Sequence, residues 1–140
     1  ALKLAKDSLL IIIADHGHET VSPIDLYKDK ALLEMLDKKP SMEPRATSFF
    51  VKDHQKETFQ RYFNKHYGKY YALYSKEELF ALKLLGEGLK HHLVDDCIGD
   101  YLAIGVGKKY FQFKNKKPFK GHHAGLTANE MYVPLIMYET

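Results

Sequence analysis

The sequence has no tryptophan and only one cysteine, Cys97, in its 140 residues. An intrachain disulfide is therefore excluded, and a reducing compartment is compatible with the composition. No apolar run approaches the roughly 20 residues that a membrane-spanning helix needs, and no signal peptide is visible at the start. We therefore expect a cytoplasmic protein without a membrane partner. The first residue is Ala1 rather than Met, in a stretch typical of the end of a helix, and we expect a fragment of a longer protein.

Hydrophobic residues make up 45% of the chain and charged residues 28%, which fits one globular domain or one domain with a small appendage. The 10 tyrosines and 8 phenylalanines should carry much of the core in place of tryptophan. The net charge of +3 is too small to indicate a nucleic acid polymer as partner. Nothing in the composition indicates an oligomeric state.

The most informative stretch begins with the continuous apolar run 9–14, which is rich in isoleucine. A short run of this kind predicts a strand over residues 8–15 that is buried on both faces, as in the centre of an α/β sheet. Asp15, His16 and His18 follow at its carboxyl end, where open α/β sheets place their ligands. Aspartate and neutral histidine bind zinc and similar divalent ions. The alternative is a simple Asp-Gly turn with an exposed histidine.

A second candidate is the segment 121–125, in which two glycines bracket His122 and His123. The segment precedes a capping box at residues 127–130 and a predicted closing strand over residues 133–138. Another pair of histidines stands at residues 91–92, and either pair could be a surface feature.

Between these segments, residues 41–115 predict a β-α-β-α-β-β block, an α+β unit with a largely antiparallel sheet. Aromatic residues at helical and alternating spacing in this block favour core packing over base stacking. Between the two histidine segments we predict an edge strand over 20–26, a helix over about 30–37 and a strand over 47–51. A helix then begins at 53 or 54 and ends at Gly68, followed by a strand over 70–74 and a helix from the capping box 75–78 to Gly86. Residues 89–98 are a loop or a short helix, and strands 100–106 and 110–114 form a hairpin.

The strings 13–17 (Ile-Ala-Asp-His-Gly) and 121–136 (Gly-His-His-Ala-Gly-Leu-Thr-Ala-Asn-Glu-Met-Tyr-Val-Pro-Leu-Ile) together resemble the alkaline phosphatase superfamily, in its type I phosphodiesterase/nucleotide pyrophosphatase-like branch. Residues 43–46 and 98–101 also resemble a segment of bacterial members. The resemblance implies an α/β fold in which strands 8–15 and 133–138 belong to the core sheet. Residues 1–40 and 116–140 would then be the C-terminal part of the catalytic core, and residues 41–115 an inserted cap.

The resemblance further implies a site for two divalent metal ions, zinc or alternatively manganese. Asp15 and His16 would bind one ion and His123 the other, with His122 as an alternative register and His18 without an assigned role. The family's Ser or Thr nucleophile and its remaining ligands have no match here, so we expect the fragment alone to be inactive.

The function implied is that of a metal-dependent phosphodiesterase or phosphatase acting on a small phosphate ester or a nucleotide-type substrate. Alternatives are a non-catalytic binding or regulatory relative and a metal-dependent phosphomutase of the same superfamily. Arg45 could touch a phosphate or pair with Glu43. Lys120 ends a basic run that could attract phosphate or simply be a solvated edge. That run consists of Lys108, Lys109, Lys114, Lys116, Lys117 and Lys120.

Overall fold

The computed structural model describes residues 6–113 and 117–140. The predicted helix end in residues 1–5, Lys114 and Lys116 lie outside this range. The strands are β1 (Leu9–Ile13), β2 (Glu19–Thr20), β3 (Ser22–Asp25), β4 (Ser41–Glu43), β5 (Ala46–Phe49), β6 (Tyr71–Ser75), β7 (Tyr101–Gly105), β8 (Lys109–Gln112), β9 (Gly121–His122) and β10 (Leu135–Glu139). The α-helices are α1 (Lys30–Glu34), α2 (Lys56–Tyr67), α3 (Lys76–Ala81), α4 (Val94–Cys97) and α5 (Ala128–Met131), and short 3₁₀ helices span Leu26–Lys28 and Asp53–Gln55.

A four-stranded antiparallel sheet of order β4-β5-β7-β6 forms the centre of the molecule. Helix α2 packs against it because Phe59, Phe63 and Tyr67 recur every four residues and share one helix face. Helix α3 begins at the predicted capping box, in which the Glu78 amide donates to the Ser75 hydroxyl and the Ser75 amide to the Glu78 carboxylate. The mixed α/β class is confirmed, and the sheet over residues 41–105 is antiparallel as predicted.

The core is aromatic, as the composition predicts. Tyr71 and Phe111 stack with ring centroids 4.2 Å apart, and Phe49 packs edge-on against Phe63. Residues from the first 40 positions join the same cluster, which consists of Leu26, Leu32, Met35, Leu36, Phe49, Val51, Phe59, Phe63, Tyr67, Tyr71, Tyr101, Ala103 and Phe111. The division into a core part and a cap at residue 41 stays a prediction.

The predicted hairpin of strands 100–106 and 110–114 is wrong. Strand β7 lies between β5 and β6, whereas β8 pairs in parallel with β3. The backbone between them is diverted because the amides of Val106 and Gly107 donate to the Tyr70 carbonyl, alongside β6. The helix predicted to reach Gly86 is also shorter, since α3 ends at Ala81.

The predicted burial of strand 8–15 is wrong for this chain. Strand β1 is shorter than predicted and, among the described residues, pairs with β10 alone, in an antiparallel ribbon of two strands. Ile12 is 50% exposed and its partner Ile136 is 56% exposed. The apolar run is typical of a buried strand, but no other described segment covers either face of β1. We call β1 and β10 together the ribbon.

Two short pairings place the segments that carry His16, His18, His122 and His123. Strand β2 follows the Asp-His-Gly loop and pairs with β9, so that Glu19 lies opposite His122. Strand β10 returns beside β1. Both histidine segments therefore lie at the same end of the ribbon. Within the described ranges, no helix has the length and apolar character needed to cross a membrane.

Candidate metal and phosphate site

The structure brings three predicted histidines together where β1 ends. The rings of His16 and His123 stack, with centroids 4.0 Å apart and an interplanar angle of 11°. The His18 ring lies 5.0 Å from that of His16 and 5.6 Å from that of His123. We call these three residues the histidine cluster. Its members come from the two segments that sequence analysis singled out, at opposite ends of the chain.

Asp15 stands beside this cluster with an exposed carboxylate. One carboxylate oxygen, Oδ1, accepts the backbone amide of His16 at 3.0 Å, and Oδ2 lies 3.5 Å from Nε2 of His16. The amide hydrogen bond, with the His16 ring nearby, lowers the pKa of Asp15 from its ordinary value. The carboxylate is therefore ionised at neutral pH, as a metal ligand must be.

The Asp15–His16 pair has the donor atoms and spacing that zinc requires. Oxygen and nitrogen ligands lie about 2.0–2.2 Å from zinc in a tetrahedral shell, which puts two such ligands roughly 3.3 Å apart. The observed separation of 3.5 Å matches this value. Nδ1 of His16 lies 2.9 Å from the Gly17 carbonyl oxygen. Since a carbonyl can only accept, Nδ1 carries the proton and Nε2 keeps the lone pair for a ligand.

The resemblance assigns His123 to a second, neighbouring ion. Ions in two-metal sites lie about 3.5–4 Å apart. The ring centroids of His16 and His123 lie 4.0 Å apart, so ligands for two neighbouring ions could come from these two residues. Within residues 6–113 and 117–140, no group of three or more His, Cys, Asp or Glu side chains is arranged to hold an ion by itself. The described residues therefore do not form a complete metal site, and the resemblance implies further ligands outside this chain.

His122 is directed away from the cluster. Its ring contacts those of Tyr110 and Phe119, at centroid distances of 4.2 and 5.6 Å. It lines a cavity of about 200 Å³ with aromatic walls, and burial lowers the pKa of its imidazole. Its Nε2 atom is buried without a hydrogen-bond partner among the described residues. The geometry thus places His123, and not His122, in the histidine cluster.

Helix α5 holds the first of the two loops. The Gly17 amide donates to the Glu130 carbonyl at 3.0 Å, and the Asn129 side-chain amide donates to the buried Glu19 carboxylate at 3.1 Å. A Cβ atom at Gly17 would lie 1.9 Å from the Asn129 carbonyl oxygen, so only glycine permits this approach. The sequence places the glycine directly after the ligand pair, and the structure supplies the steric reason.

Helix α5 also holds the second loop. The predicted capping box is confirmed, since Glu130 accepts the Thr127 amide at 3.3 Å and the Thr127 hydroxyl at 2.7 Å. The Gly125 amide donates to the same carboxylate at 2.9 Å. Ala124, next to His123, has a φ of +76°, a conformation that costs a non-glycine residue energy. These contacts hold the strained loop in place.

Arg45 pairs with a carboxylate, but with Glu130 rather than Glu43. Its Nε and Nη2 atoms each donate to Glu130 at 2.6 Å, and neither side chain is more than 1% exposed. Arg45 therefore presents no surface to a phosphate in this chain. Burial works to raise the pKa of Glu130, but the hydrogen bonds from Arg45, Thr127 and Gly125 outweigh it and lower that pKa.

Known structures share the fold of this chain. The structure superimposes on human ectonucleotide pyrophosphatase/phosphodiesterase 5 with a TM-score of 0.61 and 17% identity, over 94% of this chain and 33% of that chain. The murine protein gives 0.60 and 18%, over 96% of this chain and 35% of that one. An inactive T72A variant of the murine protein in complex with AMP gives 0.57 and 18%, over 94% and 33%.

This chain has a nucleotide pyrophosphatase/phosphodiesterase fold. The resemblance to that branch of the alkaline phosphatase superfamily is thus confirmed at the level of fold. The chain spans about a third of the length of the structures it matches, consistent with a C-terminal portion. No protein-family model and no curated protein matches the sequence.

Within this fold, Lys120 lies next to the second loop. Its backbone carbonyl accepts the Val21 amide at 2.9 Å, and its side chain is exposed. A contact of its ammonium group with substrate stays a prediction. The sequence does not indicate that Glu130 pairs with Arg45. A capping box already accounts for a glutamate at position 130, and no spacing rule links residues 85 positions apart.

Proposed function

We propose that this chain supplies the C-terminal part of a metal-dependent phosphodiesterase or phosphatase. The observation that carries the proposal is the meeting of Asp15, His16 and His123 from two distant segments, with the His16 and His123 rings 4.0 Å apart. The shared fold supports the superfamily. A structural role alone gives no reason for stacking histidines beside an ionised, exposed aspartate.

Asp15 and His16 would hold one divalent ion and His123 a second, with zinc the best match to oxygen and nitrogen donors and manganese the alternative. Such ions, when bound, stabilise the charge that develops on a phosphoryl group and lower the pKa of a nucleophile. The residues of this chain would bind the ions and keep the ligand side chains in the required orientation. Asp15 contributes negative charge, and the Gly17 carbonyl fixes the tautomer of His16.

We propose a nucleotide-type phosphate ester as the substrate class. One of the matching structures holds AMP. The side chains of Lys108, Lys117 and Lys120 are exposed on the segments that lead to the second loop, and their charge would attract a phosphate. The family's nucleophile has no counterpart in this chain, so residues 1–140 alone should not turn over an aryl phosphate ester.

The test uses the longer protein that contains this chain, loaded with zinc or manganese and assayed on an aryl phosphodiester. His16→Ala and His123→Ala should each lower kcat/KM by more than about 100-fold, because even residues that only support metal ligands cost about 10–100-fold. His92→Ala is the matched control, since His92 is also one of two adjacent histidines but is exposed outside the site. It should leave activity unchanged.

His122→Ala settles the register. It should retain zinc stoichiometry, measured on the dialysed protein, while His123→Ala loses about one ion. A fully active His16→Ala protein would contradict the proposed function. Full zinc binding without turnover of any phosphate ester would instead support a non-catalytic relative.

A further inference from the structure

The buried Arg45–Glu130 pair links the Asp15–His16 loop to the His123 loop, and the proposed chemistry requires a fixed distance between these two loops. The Glu130 carboxylate accepts hydrogen bonds from Arg45, Gly125 and Thr127, all at 3.3 Å or less. Its side chain is 1% exposed. An ionised group with so many donors in a buried position is held rigidly, because any displacement would leave several of them unpaired.

Through helix α5, Glu130 reaches both loops that carry the predicted ligands. Its carboxylate holds the loop of His123 by way of the Gly125 amide, one residue beyond Ala124. Its backbone carbonyl holds the Asp15–His16 loop by way of the Gly17 amide. One residue therefore contacts both halves of the site, and it does so without facing the histidine cluster.

Arg45 fixes the other side of this junction. Its Nη1 atom donates to the carbonyls of Gly107 at 2.8 Å, between β7 and β8, and of Lys109 at 2.6 Å, the first residue of β8. Arg45 lies immediately before β5 of the four-stranded sheet. The guanidinium thus anchors the Glu130 carboxylate to the most deeply buried part of the fold.

The close packing around Gly125 shows how little freedom the junction has. A Cβ atom at Gly125 would lie 2.5 Å from Nη2 of Arg45, 2.5 Å from the Gly105 carbonyl oxygen and 2.6 Å from Oε2 of Glu130. The second loop is therefore pressed directly onto the ion pair. A change in the pair must move the loop, and His123 lies two residues away.

We propose that Glu130, held by Arg45, is a positioning residue that sets the His123 loop against the Asp15–His16 loop at the spacing that two metal ions need. The role in metal binding rests on the proposed function, whereas the effect on loop geometry does not. Glu130 touches neither an ion nor a substrate. It acts through the Gly17 and Gly125 amides.

The first measurement needs no metal and can be made on the present chain. In Glu130→Gln, the side-chain amide places a donor against Arg45 or Gly125, so one of their hydrogen bonds is lost. Hydrogen exchange at the Gly17 and Gly125 amides should accelerate about 10-fold or more, and the nuclear Overhauser effect between the His16 and His123 rings should weaken. Glu87→Gln is the matched control, because Glu87 pairs with Lys83 at the same 2.6 Å but on the surface.

The second measurement is zinc affinity of the longer protein, by competition with a chromophoric chelator. Glu130→Gln should bind zinc about 10–100-fold more weakly, the range seen when groups that support ligands are removed. Thr127→Val keeps the Arg45 pair and removes one hydroxyl donor, so a loss of a few-fold is expected. Leu79→Ala creates a cavity in the smaller core cluster beneath α3 and should leave zinc affinity unchanged.

The outcomes separate the two proposals. If Glu130→Gln does not fold, Thr127→Val carries the test. Unchanged exchange at Gly17 and Gly125 in a folded variant, with an intact ring contact, would overturn the positioning role. An equal loss of zinc affinity in Leu79→Ala would also overturn it, since general destabilisation would then explain the effect. If the unmodified protein binds no zinc, the proposed function fails while the exchange result still judges the positioning role.

Discussion

The four-stranded sheet and the ribbon use equally apolar sequences in opposite surroundings. All five residues of β7 are buried between β5 and β6, under an aromatic cluster. In β1 no residue is buried, although Leu9–Ile13 is the more continuously apolar strand. The difference lies in the neighbours that the chain provides. An apolar strand can be buried only by segments that are present to cover it.

In the comparison with known structures, this chain aligns with about a third of each one. The aromatic cluster draws its members from residues 26–111, and all of them are buried. The ribbon, which leads into Asp15 and follows helix α5, has only its own two strands. The predicted ligands thus project from the part of the chain that is least enclosed.

The largest expected effect is in the aromatic core. Phe63 is fully buried and contacts Phe49, Phe59, Tyr67 and other rings. Phe63→Ala should lower the free energy of unfolding by about 3–5 kcal/mol, because it removes apolar contacts and leaves a cavity. Since the chain has no tryptophan, urea denaturation is best followed by far-UV circular dichroism. A loss below about 1 kcal/mol would show that this cluster does not stabilise the fold.

The next effect concerns the stability of the fold at low pH. The pKa of Glu130 is lowered from its ordinary value of 4.5, so ionised Glu130 stabilises the fold above that pH and the contribution disappears as pH falls through the lowered pKa. Glu130→Gln should cost about 1.5–3 kcal/mol at pH 7, through lost charged hydrogen bonds. The difference from the unmodified chain should shrink below pH 4.5. Urea midpoints at pH 7 and pH 3 measure it, and a constant difference would contradict the assignment.

Local patterns predicted the local features well. The capping boxes at residues 75–78 and 127–130 are present because they depend on atoms three residues apart. The aromatic face of α2 follows in the same way from its spacing. Patterns could not give the parallel pairing of β8 with β3, since strand order depends on contacts between distant segments. The hairpin was a reasonable expectation from proximity alone.

For the site, the sequence predicted which residues lie together but not what holds them in place. Asp15, His16 and His123 lie together, as the half-site interpretation requires. The Arg45–Glu130 pair could not be predicted, because several acidic residues were equally available to Arg45 and burial is a property of the assembled fold. The local sequence around His16 also does not predict that its ring stacks on that of His123.

The smallest effect tests the ribbon itself. Ile12 is half exposed and lies opposite Ile136. In the present chain, Ile12→Thr should change the free energy of unfolding by no more than about 0.5 kcal/mol, as for other surface positions. In the longer protein the same substitution should cost about 1–3 kcal/mol, because burying a hydroxyl without a partner is unfavourable.

Glu139→Gln, at the exposed far end of β10, is the control and should be neutral in both proteins. Chemical denaturation of the two proteins in parallel gives the comparison. Equal, small effects of Ile12→Thr in both would mean that the ribbon stays uncovered in the longer protein. The strand would then not belong to a core sheet. The predicted metal ligands at its end would be held less rigidly than the two-metal proposal requires.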